Sequence, residues 1–95
     1  MLKRTTLQEA HKHSAAHRDE ITKSDKCGCF YCKKVFPSTE IREWIDEDVS
    51  SVGQTALCPQ CGVDSVIGDK SGLPLTPHFL SEMHRFWFYS KESSA

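Results

Sequence analysis

The stretch CGCFYC (residues 27–32) places three cysteines within six positions, and a second cluster follows at CPQC (residues 58–61). The chain thus contains two C-x-x-C pairs. Two residues between the cysteines let the backbone turn tightly and direct both sulfur atoms at one ion. Two such turns facing each other complete a tetrahedral site of four thiolates, the usual geometry of structural zinc. We therefore expect one Zn²⁺ per chain, bound by Cys29, Cys32, Cys58 and Cys61.

Two alternatives use the same cysteines. Iron in a rubredoxin-like site fits, because the same four thiolates accept it. A pair of redox motifs is disfavoured, since a thioredoxin-type C-x-x-C begins a helix, whereas Gly62 and the β-branched run VDSVI follow the second pair. Residues 33–57 separate the two pairs, a longer gap than the usual ~15–20 residues. We expect the loop EDVSSVG (residues 47–53) to take up the surplus.

Cys27 is the cysteine left over from the two pairs. Aligning the clusters with each other places Cys27 opposite Ala56, which indicates a slot for a small buried side chain and not a metal ligand. Gly62 suits the left-handed residue that a metal-binding turn often needs. In the first turn Lys33 or Lys34 must take that conformation, at some cost in free energy.

Length and charge limit the class of protein. The 95 residues suit one small domain, which often depends on a metal or on disulfides for stability. The formal net charge is −1, which argues mildly against a general nucleic-acid binder. No run approaches the ~18 apolar residues of a membrane helix, and the start lacks the apolar core of a secretory signal. We expect a cytoplasmic protein with reduced thiols.

The elements on either side of the cysteines are less regular. Residues 1–26 are polar and form either a disordered arm or a marginal helix that Ser14 caps and that runs to about Lys23. Strands are expected near Trp44, at QTALC (residues 54–58) and at VDSVIG (residues 63–68).

The strongest helix signal lies near the carboxyl end. Thr76 is a natural N-cap and Pro77 a natural first residue for a helix that extends to about Tyr89. Its apolar face consists of Phe79, Leu80, Met83, Phe86 and Trp87. We predict one α+β domain over residues 1–95, made of an N-terminal helix or arm (1–26), a small metal-stabilised sheet (27–68), and a turn with an amphipathic helix (69–95).

The paired turns, a β-hairpin between them and a third strand after the second turn resemble a zinc ribbon over residues 29–68. That resemblance implies the ion and a fold, and it says little about function, because ribbons serve many roles. The longer run from CGCFYCKKVFPSTEI through TALCPQCGVDSVIGD to LPLT resembles a family of small bacterial cytosolic proteins of unassigned function. It implies a free-standing protein and brings no activity with it.

Six further residues are candidates for contacts outside the metal site. Lys33 and Lys34 follow the first pair, where they offset the charge of about −2 on a zinc–thiolate centre or contact phosphate. A polar contact of His17 and Arg18 with the ribbon would dock the N-terminal segment. A helix cannot bury four consecutive aromatic residues on one face, so Phe88 or Tyr89 lies near the surface as a candidate partner contact.

These observations favour a non-catalytic, zinc-stabilised binding or adaptor protein. A protein partner or a homodimer fits the charge balance better than nucleic acid, and no membrane contact is expected. The alternative is a small hydrolase or HNH-like nuclease that uses His17, Asp64 or His84. Four thiolate ligands leave the ion no open position for water, and Asp64 lacks the adjacent histidine of a nuclease motif.

Overall fold

Five short strands and three helices surround the two C-x-x-C turns in a computed structural model, which describes residues 4–89 apart from the side chain of Tyr89. The α-helices are α1 Arg4–His11, α2 Arg18–Lys23 and α3 Pro77–His84, and a π-helical turn, Arg85–Tyr89, extends the last of them. The strands are β1 Lys26–Cys29, β2 Val35–Pro37, β3 Trp44–Glu47, β4 Gly53–Ala56 and β5 Val66–Gly68. Single 3₁₀ turns cover Lys12–Ser14, Ser38–Glu40 and Asp69–Ser71. The predicted α+β class is confirmed.

The strands form two antiparallel sheets. β1 lies between β2 and β5, while β3 and β4 make a separate hairpin. The first C-x-x-C turn joins β1 to β2, and the second joins β4 to β5, so the second turn connects the two sheets. The expected strands at β3, β4 and β5 are present. The last of them, β5, pairs with β1, a strand that the sequence did not predict because the segment KCGC is short and contains glycine.

The N-terminal segment is helical over the residues described, but not as a helix capped by Ser14. Ser14 lies in a 3₁₀ turn, where its buried hydroxyl donates a hydrogen bond to the His11 carbonyl at 2.6 Å. Ala16 then adopts a left-handed conformation, with φ of +50°, and α2 begins only at Arg18. The Ser14 hydroxyl thus bonds back to the preceding turn, and α2 begins without a side-chain cap.

The core has two parts. One joins α1, the first turn and α3 around a set of buried side chains: Leu7, Ala10, Phe30, Ile67, Phe79, Leu80 and Met83. The other lies behind the cysteines and includes Ile21, Cys27, Phe36, Ala56 and Val66. The predicted start of the last helix is confirmed, because the Thr76 hydroxyl accepts a hydrogen bond from the Phe79 amide at 3.1 Å and Pro77 is the first helical residue.

The end of the last helix is less buried than its start. Trp87 is half-buried, and its indole N–H donates to the Leu7 carbonyl at 3.2 Å, so it links the two ends of the described chain. Phe86 packs beside it with ring centroids 5.0 Å apart. The helix therefore supports the first turn through its first two turns. A search of residues 4–89 finds no helix with the length and apolar character needed to span a membrane.

Candidate metal centre

The four cysteines predicted as ligands lie together. Their sulfur atoms are all within 4.8 Å of one another. The Cys29 and Cys61 sulfurs are 3.6 Å apart, and those of Cys32 and Cys58 are 3.7 Å apart. Four sulfurs bound ~2.3 Å from one ion at tetrahedral angles lie about 3.8 Å from each other. The cluster therefore has the dimensions of a tetrahedral thiolate site and could hold a metal ion.

Backbone hydrogen bonds shape the first turn. The Cys29 amide donates to the Lys34 carbonyl at 3.0 Å, and the Lys33 amide donates to the Cys29 carbonyl at 2.7 Å. The Tyr31 amide points at the Cys29 sulfur, 3.4 Å away. Lys33 is the residue that takes the left-handed conformation, with φ of +66°. This turn thus presents an N–H donor to its first sulfur, an arrangement that stabilises negative charge on it.

The second turn repeats the first. The Cys58 amide donates to the Val63 carbonyl at 3.0 Å, and the Gly62 amide donates to the Cys58 carbonyl at 2.9 Å. The Gln60 amide lies 3.3 Å from the Cys58 sulfur. Gly62 has φ of +80°, as predicted for the residue after the second pair. In both turns, the first cysteine of the pair makes the same three contacts, with the residues five, four and two positions after it. The internal alignment of the two clusters is therefore confirmed.

Cys27 lies outside the cluster of four cysteines that could hold a metal ion. It sits on β1 opposite Phe36 and Gly68, and it is fully buried, as is Ala56 at the aligned position before the second turn. Burial raises the pKa of the Cys27 thiol to about 12, with a smaller contribution from the charge of Asp69. Cys27 therefore behaves as a small, protonated core residue.

The pKa values of Cys29, Cys58 and Cys61 are shifted in different directions. Burial raises the pKa of Cys29, even though the Ser65 hydroxyl lies 3.0 Å from its sulfur, and burial also raises the pKa of Cys61. Burial opposes ionisation of Cys58 too, but hydrogen bonds to its sulfur, from the backbone of Cys61 and Gln60 and from the side chains of Cys61 and Cys32, together outweigh it and lower its pKa. Within the second turn, Cys58 therefore ionises more readily than Cys61.

The predicted polar contact of His17 and Arg18 with the sheet is present. His17 is 5% exposed, its Nδ1–H donates to the His13 carbonyl at 2.6 Å, and its Nε2 accepts from the Ala56 amide at 3.0 Å. The Arg18 guanidinium donates to the Gly53 carbonyl at 2.7 Å and lies over the Trp44 ring, 4.4 Å from its centroid. Both side chains are thus used within the chain, where they dock the N-terminal segment along β4.

The other candidate contact residues lie around the first turn. Lys33 and Lys34 are exposed. Phe88 is half-buried and packs edge-on against Tyr31, with ring centroids 5.0 Å apart. The side chain of Tyr89 lies outside the part of the chain that the structure describes.

The structure does not assemble the candidates for catalysis. His17 is buried with both ring nitrogens occupied, Asp64 is exposed, and the Nδ1–H of His84 donates to the Phe30 carbonyl at 3.2 Å. Within the described residues, the group of Cys, His, Asp or Glu side chains close enough to hold a metal is the four-cysteine cluster.

One feature that the sequence alone did not reveal is a cleft of about 480 Å³ between the first turn and the last helix. Lys33, Ser81, His84 and Arg85 line it. The i, i+3, i+4 spacing of the three helix residues was the available signal, because it places them on one face. Which side chain stands opposite that face depends on tertiary packing.

The sequence matches no protein-family model, and neither a curated protein nor a solved structure shows significant similarity to it. The likeness to a zinc ribbon therefore rests on the four cysteines and on the geometry of their turns. The resemblance to small bacterial cytosolic proteins stays a prediction.

Proposed function

We propose that this protein is a non-catalytic binding or adaptor protein whose fold depends on one Zn²⁺ held by Cys29, Cys32, Cys58 and Cys61. The observation that supports the ion is the spacing of the sulfurs, with contacts of 3.6 and 3.7 Å between sulfurs of opposite turns. Zinc suits such a site because it accepts tetrahedral thiolate ligands and needs no redox partner. Iron, which the same ligands accept, is the competing ion.

A structural role for the ion follows from its ligand set. Four thiolates close the coordination shell, whereas a catalytic zinc keeps one position open for water or substrate. The half of the core behind the cysteines contains few large side chains, and Cys27, Ala56 and Val66 are among its members. A domain of this size then depends on the ion for much of its stability.

A protein partner, or a second copy of the chain, fits the exposed apolar side chains. Tyr31 and Val35 flank the first turn at 44% and 45% exposure, and Val35 lies on β2, at the edge of its sheet. Ile45 and Val52 are exposed on the β3–β4 hairpin. Apolar groups at a sheet edge favour contact with protein, and the net charge of −1 disfavours general binding to nucleic acid. We place this function in the cytoplasm, where the thiols stay reduced.

The test of this function begins with the ion. Native mass spectrometry of the full chain should show one zinc per chain, and a strong chelator should abolish the near-UV circular dichroism. Light scattering then separates a homodimer from a monomer that binds another protein. A chain that stays fully folded without metal would contradict the structural role. Hydrolysis of DNA or of an ester that disappears in a folded His84→Ala variant would favour the enzyme class instead.

A further inference from the structure

The cleft beside the first turn combines residues from two distant parts of the chain. Ser81, His84 and Arg85 lie on one face of the last helix, and Lys33 comes from the metal-binding turn. The cleft volume of about 480 Å³ is within the usual range of small-molecule sites, roughly 300–1,000 Å³.

The lining of this cleft is cationic and contains no carboxylate. Neither the Lys33 ammonium nor the Arg85 guanidinium forms an ion pair or a hydrogen bond with any residue from 4 to 89. The other large cleft, about 430 Å³ beside the second turn, has Arg42 between Glu40 and Glu43 in its lining. Two unpaired cations and a hydroxyl are the groups that bind phosphate, with the guanidinium able to donate two parallel hydrogen bonds.

Lys33 occupies a backbone conformation that disfavours a side chain. Its φ is +66°, and the equivalent residue of the second turn is Gly62, with φ of +80°. A residue with a Cβ pays about 1–2 kcal/mol for this conformation, and glycine does not. Such strain persists where the surrounding structure imposes it, and it clusters at functional sites. Charge compensation of the metal centre is one use, but Lys34 can supply that without adopting the strained conformation.

Aromatic rings adjoin the cleft at His84. The His84 ring is fixed by its hydrogen bond to the Phe30 carbonyl at 3.2 Å, and its centroid lies 5.8 Å from Tyr31 and 5.5 Å from Phe88. Tyr31 is 44% exposed, so part of its ring is free to contact a ligand. An exposed aromatic ring beside a cationic cleft provides a stacking surface for a planar base.

We propose that this cleft binds a nucleoside monophosphate. Lys33, Arg85 and the Ser81 hydroxyl bind the phosphate, and Tyr31 stacks on the base. The size of the cleft and the neighbouring aromatic ring favour a small phosphate ester that carries a planar ring over a bare phosphate ion. The site uses none of the four cysteines, and it shares Tyr31 with the surface proposed above for a protein partner.

The test is calorimetric titration of the full, zinc-loaded chain with adenosine 5′-monophosphate, adenosine and inorganic phosphate. The monophosphate should bind more tightly than either of the other two. Lys33→Gln and Arg85→Gln should each weaken its binding about tenfold, because each removes a charge-assisted hydrogen bond. Tyr31→Ala should weaken binding of the monophosphate and leave the affinity for inorganic phosphate unchanged. Arg42→Gln, which removes one cation from the other cleft, is the matched control and should change nothing.

Several results would overturn the proposal. Among them are absence of saturable binding at millimolar monophosphate, equal binding of adenosine, and an equal loss in Arg42→Gln. Loss of zinc in Lys33→Gln, measured by native mass spectrometry, would assign this lysine to the metal centre alone. If a single-stranded oligonucleotide binds and the monophosphate does not, the ligand of the cleft is a nucleic acid chain and not a small molecule. Phosphoserine that binds as tightly as the monophosphate would exclude the base contact.

Discussion

The two C-x-x-C turns have the same backbone and different surroundings. In both, the amide of the first cysteine donates a hydrogen bond to the carbonyl five residues later at 3.0 Å. The carbonyl of that cysteine accepts a hydrogen bond from the amide four residues later. After the first cysteine, however, the first turn buries Phe30 at 2% exposure, whereas the second exposes Pro59. The comparison teaches that the ligand geometry is local and repeated, and that the attachment of each turn to the rest of the molecule is not.

The strands that lead into the turns differ in the same way. β1 is hydrogen-bonded on both sides, by β2 and β5. Within residues 4–89, β4 pairs with one strand, β3, and its other edge is covered by the N-terminal segment, where the His17 amide donates to the Gln54 carbonyl at 2.7 Å. The strand before the first turn is therefore held by other strands on both edges, whereas β4 is held by β3 on one edge and by polar contacts of the N-terminal segment on the other.

The largest expected effect tests what the turns share. Cys29→Ser and Cys58→Ser each remove a ligand at an equivalent position, so both variants should lose the ion and unfold. Structural zinc sites contribute on the order of 10 kcal/mol, which equals the whole stability of a small domain. Metal content and near-UV circular dichroism measure the two losses. A variant pair in which one member keeps its zinc and fold would show that the turns are not equivalent as ligands.

Cys27→Ala is the control for this pair, because it removes a buried thiol that is not a ligand. It should keep one zinc and lose about 1 kcal/mol of stability, since alanine already fills the aligned slot at Ala56. Release of the metal by Cys27→Ala, with retention by Cys29→Ser, would mean that the first turn is wrongly assigned.

The turns and the last helix could be predicted because their signals are local. The C-x-x-C spacing specifies the ligands, Gly62 marks the left-handed residue, and Thr76 with Pro77 marks a helix start. Each of these signals depends on a few neighbouring residues, whose conformational preferences are independent of tertiary structure.

The rest depends on contacts between distant residues. β1 and β2 have four and three residues, too few for a periodic pattern, and they exist because β5 and the core support them. The break at Ala16 arises because His17 must reach the Ala56 amide. Likewise, the sequence singles out Lys33 by its position after Cys32. It does not show that the helix face of Ser81 and Arg85 lies opposite this lysine.

The second effect tests the difference in core attachment. Phe30→Ala empties a buried site next to Phe79 and should cost about 3–5 kcal/mol. Pro59→Ala changes an exposed residue at the aligned position and should cost under about 0.5 kcal/mol. Denaturant melts of the zinc-saturated variants measure both. Equal losses at the two positions would contradict the unequal anchoring of the turns.

The third effect tests the polar attachment of β4. Burial lowers the pKa of His17, with opposing contributions from the His13 carbonyl and Glu20. Above its ordinary pKa of about 6.5 the ring is neutral in both states, and its contribution to stability is complete. As pH falls below that value, the unfolded chain binds a proton that the folded chain does not, so stability should fall by up to about 1.4 kcal/mol per pH unit.

His17→Gln isolates this contribution, since glutamine offers an acceptor to the Ala56 amide and does not titrate. The other ionisable groups are the same in both proteins, so the difference between the two stability curves reports on His17. Unfolding free energies measured from pH 7.5 to 5 should therefore decline more steeply in the wild type. Parallel curves would show that His17 does not hold β4 in its neutral form.

The smallest effect tests the left-handed position of the two turns, which Lys33 occupies in the first turn and Gly62 in the second. An added Cβ at Gly62 would meet no atom within 4 Å, so Gly62→Ala should lose about 1 kcal/mol through backbone strain alone. Gly72→Ala is a matched control away from the metal, with φ of +83° and equally open space, and it should lose the same amount of stability.

Lys33→Gly tests the same position in the first turn. It relieves the backbone strain but raises the chain entropy of the unfolded state, so stability should rise by at most about 1 kcal/mol. Denaturant melts with zinc in excess measure all three. A larger loss at Gly62 than at Gly72 would mean that metal binding itself needs the glycine, and a loss of stability in Lys33→Gly would mean that the lysine serves the fold. With the expected signs, the lysine is retained against the preference of its own backbone, and its use lies in what its ammonium group contacts.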